Sequence, residues 1–202
     1  MIRPGLTLWL TGLSGAGKST IGWRIAELLR ERDVQVEVLD GDVVRQNLCA
    51  DLGFSKEDRD TNIRRIGFVA DILTRNGVVV VVAAISPYEA VREEVREHIG
   101  RFLEVYVRCP MDVLVERDTK GMYKRALRGE IDHFTGVSDP YEEPPTPDLV
   151  VDTSSETVEQ SVARVLAAVD VRLFAPESSD GHFSGEAGVV SPVSEPETTR
   201  RD

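Results

Sequence analysis

The sequence predicts an α/β domain, a parallel five-stranded sheet with helices on both faces, and three observations carry that expectation. Short β-rich runs alternate with helical patterns along residues 6–172, the order produced when each parallel strand is followed by a crossover helix. The longest apolar run, Val78–Ile85, reads as a strand buried on both faces. A chain of 202 residues has room for one such domain with a sizeable core, and not comfortably for two.

The first strand is expected at residues 6–11, followed by a helix over 19–32 whose Ile21, Ile25, Leu28 and Leu29 share one face. A second strand covers 35–40. Ser55 with Asp58 three residues on marks a helix N-terminus, and Gly77 supplies its stop. The stripe Ile63, Ile66, Val69, Ala70 and Leu73 on that helix reads as core. Strand three covers 78–84, a helix from Tyr88 to His98 returns the chain, and strand four covers 103–109. Residues 118–147 then break the alternation with Lys120, Lys124, Arg125, Arg128, three glycines and four prolines. A polar segment of that length in a compact domain is usually functional, commonly a lid. Strand five covers 148–152, and Thr153 with Glu156 is read as the cap of a last helix over 155–172, packed through Val158, Val162, Val165 and Leu166. The domain is therefore bounded at 1–173. Residues 174–202 are read as an acidic, disordered tail, since 175–202 hold six acids against two bases and almost no large apolar side chains.

The net charge of −11 argues against general nucleic-acid binding, which needs a broad basic face. Two cysteines, Cys49 and Cys109, are too few for a disulfide framework and read as buried or half-buried thiols. No signal peptide is visible at Met1–Gly5, and no apolar run is long enough to span a bilayer, so no membrane association and a cytoplasmic location are expected.

Function enters at residues 12–19, Gly-Leu-Ser-Gly-Ala-Gly-Lys-Ser, placed between the first strand and the first helix. Glycines at 12, 15 and 17 allow a tight turn whose N–H groups converge on phosphate oxygens at a helix N-terminus. Lys18 would reach the β- and γ-phosphates, and Ser19 would offer a hydroxyl to Mg²⁺. The fold expectation narrows accordingly to the P-loop nucleoside-triphosphate hydrolase fold; the loop alone does not separate a kinase from a GTPase or an ATPase motor, and the nucleotide-kinase-like form with ATP and Mg²⁺ as cofactors is what the resemblance given below implies. Gly12, Leu13, Ser14, Gly15, Ala16, Gly17, Lys18, Ser19 and Thr20 form the expected nucleotide-binding loop. The absence of any Asn-Lys-x-Asp motif counts against a GTPase. Charged and polar groups at the C-terminal ends of the strands instead suit a second, small substrate.

Those groups carry a resemblance. Leu39-Asp-Gly-Asp42 with Arg45, Leu52-Gly-Phe-Ser55, Asp58-Arg59, Asn62-Ile-Arg-Arg-Ile66, Ala84-Ile-Ser-Pro-Tyr88, Lys120-Gly121, Phe134-Thr-Gly136 and Asp139-Pro-Tyr141, together with the phosphate loop, resemble the adenylylsulfate kinases over about residues 5–172. That family phosphorylates the 3′-hydroxyl of adenosine 5′-phosphosulfate. The resemblance implies that Asp42 accepts the hydroxyl proton or holds a magnesium-bound water, and that Arg45 and Arg59 bind the phosphosulfate, for which guanidinium geometry is suited. It further implies that Phe54 and Phe134 stack on the acceptor adenine, with Asn62, Ile85 and Lys120 also on substrate. Ser86 matches the family's phosphoserine position and is carried as a catalytic candidate. Direct in-line transfer, needing only positioning and charge neutralisation, is the alternative for that serine. The chain departs from the family at Thr119, where proline is common before Lys-Gly, and at Phe68, where glutamate is common, a change expected to alter only packing.

The expected partners are adenosine 5′-phosphosulfate, a second copy of the chain in a homodimer, and a functional pairing with a sulfate adenylyltransferase. Two other readings stay open: a P-loop kinase for another small hydroxyl acceptor, and a nucleotide-binding regulatory module without turnover.

Overall fold

The computed structural model describes residues 5–118 and 120–174. Thr119 and the acidic segment 175–202 lie outside the described residues. Five parallel strands, β1 (Leu6–Thr11), β2 (Val36–Asp40), β3 (Val79–Ala83), β4 (Phe102–Arg108) and β5 (Leu149–Asp152), form one sheet in the order β2-β3-β1-β4-β5. Each lies within one residue of its expected place.

Alternation along the buried strands divides the core in two. Leu6, Leu8 and Leu10 of β1, with Val79 and Val81 of β3, face α1 (Lys18–Arg30) and α7 (Val158–Phe174). Trp9, Val80 and Val82 point the other way, to α3 (Lys56–Arg75) and α4 (Glu89–Ile99). Both sheet faces are thus covered, which is why the strands read as continuous apolar runs rather than alternating ones. Cys49 and Cys109 are free and buried.

Three short helices were not expected: α2 (Gly41–Asn47), α5 (Met111–Arg117) and α6 (Met122–Leu127), the last inside the proposed lid. Six or seven residues complete barely two turns, so no apolar periodicity accumulates to reveal them. The cap of α7 also differs. Thr157 and Gln160 make the reciprocal capping pair, Thr157 N–H donating to Gln160 Oε1 at 2.8 Å and Gln160 N–H to Thr157 Oγ1 at 3.2 Å. Thr153 is used elsewhere, its hydroxyl donating to the Ala16 carbonyl at 3.0 Å. Phe68 is 61% exposed, so the departure there adds no packing.

The α3–α4 contact is close enough to exclude a side chain at Gly67, where a Cβ would stand 2.8 Å from both Val95 methyls. Gly67→Ala is expected to cost about 1–3 kcal/mol by overpacking. Chemical denaturation checks this, and an unchanged midpoint would show that α4 simply shifts away.

Candidate active site

β1 has neighbours on both sides, β3 and β4, so the loops leaving the C-terminal strand ends diverge there. Open α/β sheets bind ligands at such a divergence. A cavity of about 560 Å³ occupies it in this chain.

The phosphate loop forms the cavity floor. Gly12 takes φ +145°, and a Cβ there would meet the Val107 carbonyl oxygen at 2.4 Å, so only glycine lets the loop leave β1 beside β4. Ser14, Gly15, Gly17, Lys18, Ser19 and Thr20 line the cavity. Gly12, Leu13 and Ala16 do not; they shape the loop from behind, Ala16 being fully buried. Lys18 is folded inward, donating to the carbonyls of Gly12 at 2.8 Å and Leu13 at 2.7 Å. Burial, reinforced by the nearby Lys120 charge, lowers its pKa to about 8 against the opposing pull of Asp42 and Asp40.

Asp40 also lines the cavity, and the sequence reading passed it over in favour of Asp42. One oxygen caps α2 by accepting from Asp42 N–H at 2.9 Å; the other accepts from the Ser19 hydroxyl at 2.6 Å. The Asp40-Gly41-Asp42 run signalled two carboxylates without saying which one faced the loop. Ser19 and Asp40 together present hard oxygen donors of the kind Mg²⁺ takes alongside substrate phosphates. Among the described residues no group of three or more His, Cys, Asp or Glu side chains could hold a metal alone. A magnesium ion held partly by nucleotide fits that set.

Asp42 is instead exposed, ion-paired with Lys120 across the cavity mouth. Of the four cations noted in residues 118–147, only Lys120 lines the cavity; Arg125 and Arg128 pair with Glu130 at 3.6 and 2.7 Å on the surface. The segment does touch both halves of the site. Tyr123 donates its hydroxyl to the Ser14 carbonyl at 2.8 Å, and Arg59 donates to the His133 carbonyl and stands 3.4 Å from Asp139.

Arg45, Phe54, Arg59, Asn62, Ile85, Ser86 and Phe134 line the same cavity, all brought together as expected. Their detailed arrangement differs from a simple aromatic sandwich. Arg45 covers Phe54 at 4.4 Å and Arg59 approaches the same ring at 5.6 Å, while Phe134 is buried edge-on to Tyr123 at 5.0 Å. Burial, then the neighbouring Arg59 charge, lowers the Arg45 pKa. Arg45 also donates to the Gly53 carbonyl at 2.7 Å and Arg59 to the Phe54 carbonyl at 3.0 Å, so both guanidiniums are held in place beside the cavity. The Asn62 Oδ1 and Thr135 Oγ1 atoms are buried without a hydrogen-bond partner, and both residues line the cavity. Buried polar groups rarely stay unpaired, and a ligand or water entering the cavity would complete them. Thr135 is the second residue missed from sequence, although it stands inside the Phe134-Thr-Gly136 motif.

Ser86 is only 1% exposed, and its hydroxyl is already engaged. It accepts from the Trp9 indole N–H at 3.0 Å and donates to Thr11 Oγ1 at 3.1 Å.

Comparison with known proteins gives the family. The adenylylsulphate kinase family model matches residues 4–152. An adenylyl-sulfate kinase of Rippkaea orientalis is 59% identical over 165 residues, 82% of this chain and 91% of that one. A protein of Sorangium cellulosum named "Probable bifunctional SAT/APS kinase 2" is 56% identical over 172 residues, 85% of this chain but 30% of that longer protein. Among solved structures, the APS kinase of Mycobacterium tuberculosis in complex with AMPPNP and APS superposes with TM-score 0.79 at 40% identity, covering 83% of this chain and 99% of that one.

Proposed function

The chain belongs to the adenylylsulphate kinase family, and from that premise we propose how its residues share the work of one reaction. It is an ATP-dependent phosphotransferase that moves the γ-phosphoryl of ATP to the 3′-hydroxyl of adenosine 5′-phosphosulfate, giving 3′-phosphoadenosine 5′-phosphosulfate and ADP in sulfate activation. The observation carrying the division of labour is that one cavity is lined both by the phosphate loop and by Arg45 and Arg59, which both approach Phe54.

On the donor side, Lys18 turns from the Gly12 and Leu13 carbonyls onto the transferring phosphate, and the loop amides cradle its neighbours. Ser19 and Asp40 would hold Mg²⁺, which would supply neutralisation of phosphate charge. On the acceptor side, Arg45 and Arg59 take the phosphosulfate, Phe54 and Phe134 enclose the adenine, and Asn62 and Thr135 complete their hydrogen bonds on it. Asp42 accepts the 3′-hydroxyl proton. Lys120 exchanges its Asp42 partner for the phosphate in flight as the 118–147 segment closes and water is excluded. The catalytic unit is residues 1–173 in a cytoplasmic homodimer. A functional pairing with a sulfate adenylyltransferase completes the proposal.

Phe54 tests the acceptor assignment. Phe54→Ala is expected to raise the KM for adenosine 5′-phosphosulfate roughly tenfold while the KM for ATP holds, since an aromatic–base stack contributes about 1–3 kcal/mol. Equal effects on both substrates would place the ring outside the acceptor subsite.

Ser86 is read as a wall of the site and not as a nucleophile. Its hydroxyl donates to Thr11, and Thr11 in turn donates to the Ile85 carbonyl at 2.8 Å, so no base is positioned to activate it. Wild-type protein held in MgATP without acceptor is therefore expected to show no phosphoryl mass gain at Ser86. A stoichiometric gain on the acceptor's timescale would restore the double displacement.

A further inference from the structure

Ser86 has an unusual backbone for a non-glycine residue, φ +41°, immediately before Pro87. Such a conformation persists only where the surroundings over-determine it. The surroundings here include a guanidinium that the transfer chemistry does not use. Arg92, on α4, is 1% exposed, and one of its arms donates to the Ser86 carbonyl at 2.7 Å. Its other arm donates to the Glu142 carbonyl at 2.9 Å. Its Nε stands 3.1 Å from Glu104 Oε1 on β4, which holds the charge in the core.

The two carbonyls belong to chain segments that meet at the site. Residues 85–87 line the cavity. Glu142 lies on the stretch leading out of the lid segment, and it is zipped to the same edge: its N–H donates to the Pro87 carbonyl at 2.8 Å, and its carboxylate accepts from Glu89 N–H at 2.7 Å. Glu104 is itself held by Arg96 at 3.1 Å, and Arg96 by Asp148 at 3.0 Å, so Arg92 is anchored from behind by β4 and by the approach to β5. A guanidinium fork reaches both carbonyls with its two arms while its Nε faces the carboxylate, a span that a compact ammonium does not cover.

We propose that Arg92 is a positioning residue for phosphoryl transfer, a buried brace that fixes the Ile85–Pro87 edge of the acceptor pocket against the chain returning from the lid. The proposal rests on the reading of that edge as acceptor-side. It makes adenosine 5′-phosphosulfate affinity, and not ATP affinity, the property that Arg92 controls.

Arg92→Lys keeps a positive charge opposite Glu104 and loses the fork. The KM for adenosine 5′-phosphosulfate should rise roughly tenfold, the Kd for AMPPNP should not change, and the Glu89 and Glu142 amides should lose protection from hydrogen exchange. If the lysine variant does not fold, Arg92→Met combined with Glu104→Gln removes both charges of the buried pair together and should give the same split. Equal losses for the two nucleotides, or an unchanged acceptor KM with intact amide protection, overturn the brace. Faster amide exchange with an unchanged acceptor KM also overturns the proposal, and locates the failure in the assignment of the Ile85–Pro87 edge.

Discussion

Lys18→Met is expected to lower kcat by about 10²–10³-fold, the size typical of losing one preorganised donor to developing transition-state charge. AMPPNP affinity should weaken with it, because the same ammonium contacts ground-state phosphates. The structure explains why no neighbour would substitute. Lys18 is 8% exposed and reaches its two loop carbonyls from within the turn, whereas Lys120 is half-exposed and reaches the site from the lid segment. Methionine matches the length of the aliphatic stem, so the helix start at α1 should survive, and circular dichroism should confirm an intact fold. Steady-state kinetics and calorimetry on the variant supply the test, and turnover near the wild-type level would remove Lys18 from the chemistry.

Asp42→Asn should produce a loss of about 10²–10⁴-fold in kcat, the range for removing a general base. Here the ground state should be spared. The α2 cap depends on the Asp42 backbone N–H and the Asp40 carboxylate, neither of which the substitution touches, and the Asp42 side chain is 72% exposed. KM for both substrates should therefore hold while kcat falls. A parallel loss of ATP affinity would instead mean that Asp42 serves the metal and that Asp40 does not serve it alone. The matching lid variant, Lys120→Ala, should free Asp42 and lose charge neutralisation, lowering kcat without abolishing it.

Long, strongly patterned features were legible in the sequence. Five strands appeared from their β-rich runs because burial on both faces leaves little room for polar residues, and Ser55 announced α3 through a cap it does make, accepting from Asp58 N–H at 3.1 Å. The phosphate loop was legible because its chemistry demands glycine at fixed positions. What stayed hidden depended on orientation. Nothing in the Asp40-Gly41-Asp42 run distinguishes the carboxylate that turns to Ser19 from the one that faces Lys120; only the Asp40 capping geometry separates them. Phe54 and Phe134 were paired by resemblance, yet one is 54% exposed under Arg45 while the other is packed against Tyr123. Arg92 gave no signal at all, since an arginine among the charges of α4 reads as surface until the fold buries it against Glu104. Thr135 was visible as a motif letter but not as an unpaired hydroxyl.

The central claim is that donor and acceptor walls of one cavity carry out a single transfer. The most direct measurement supplies the purified chain with MgATP and adenosine 5′-phosphosulfate and follows both products. The account predicts 3′-phosphoadenosine 5′-phosphosulfate and ADP in equal amounts, with no comparable turnover when the acceptor lacks its sulfate. ADP without phosphorylated acceptor, or faster transfer to a different hydroxyl substrate, would contradict it.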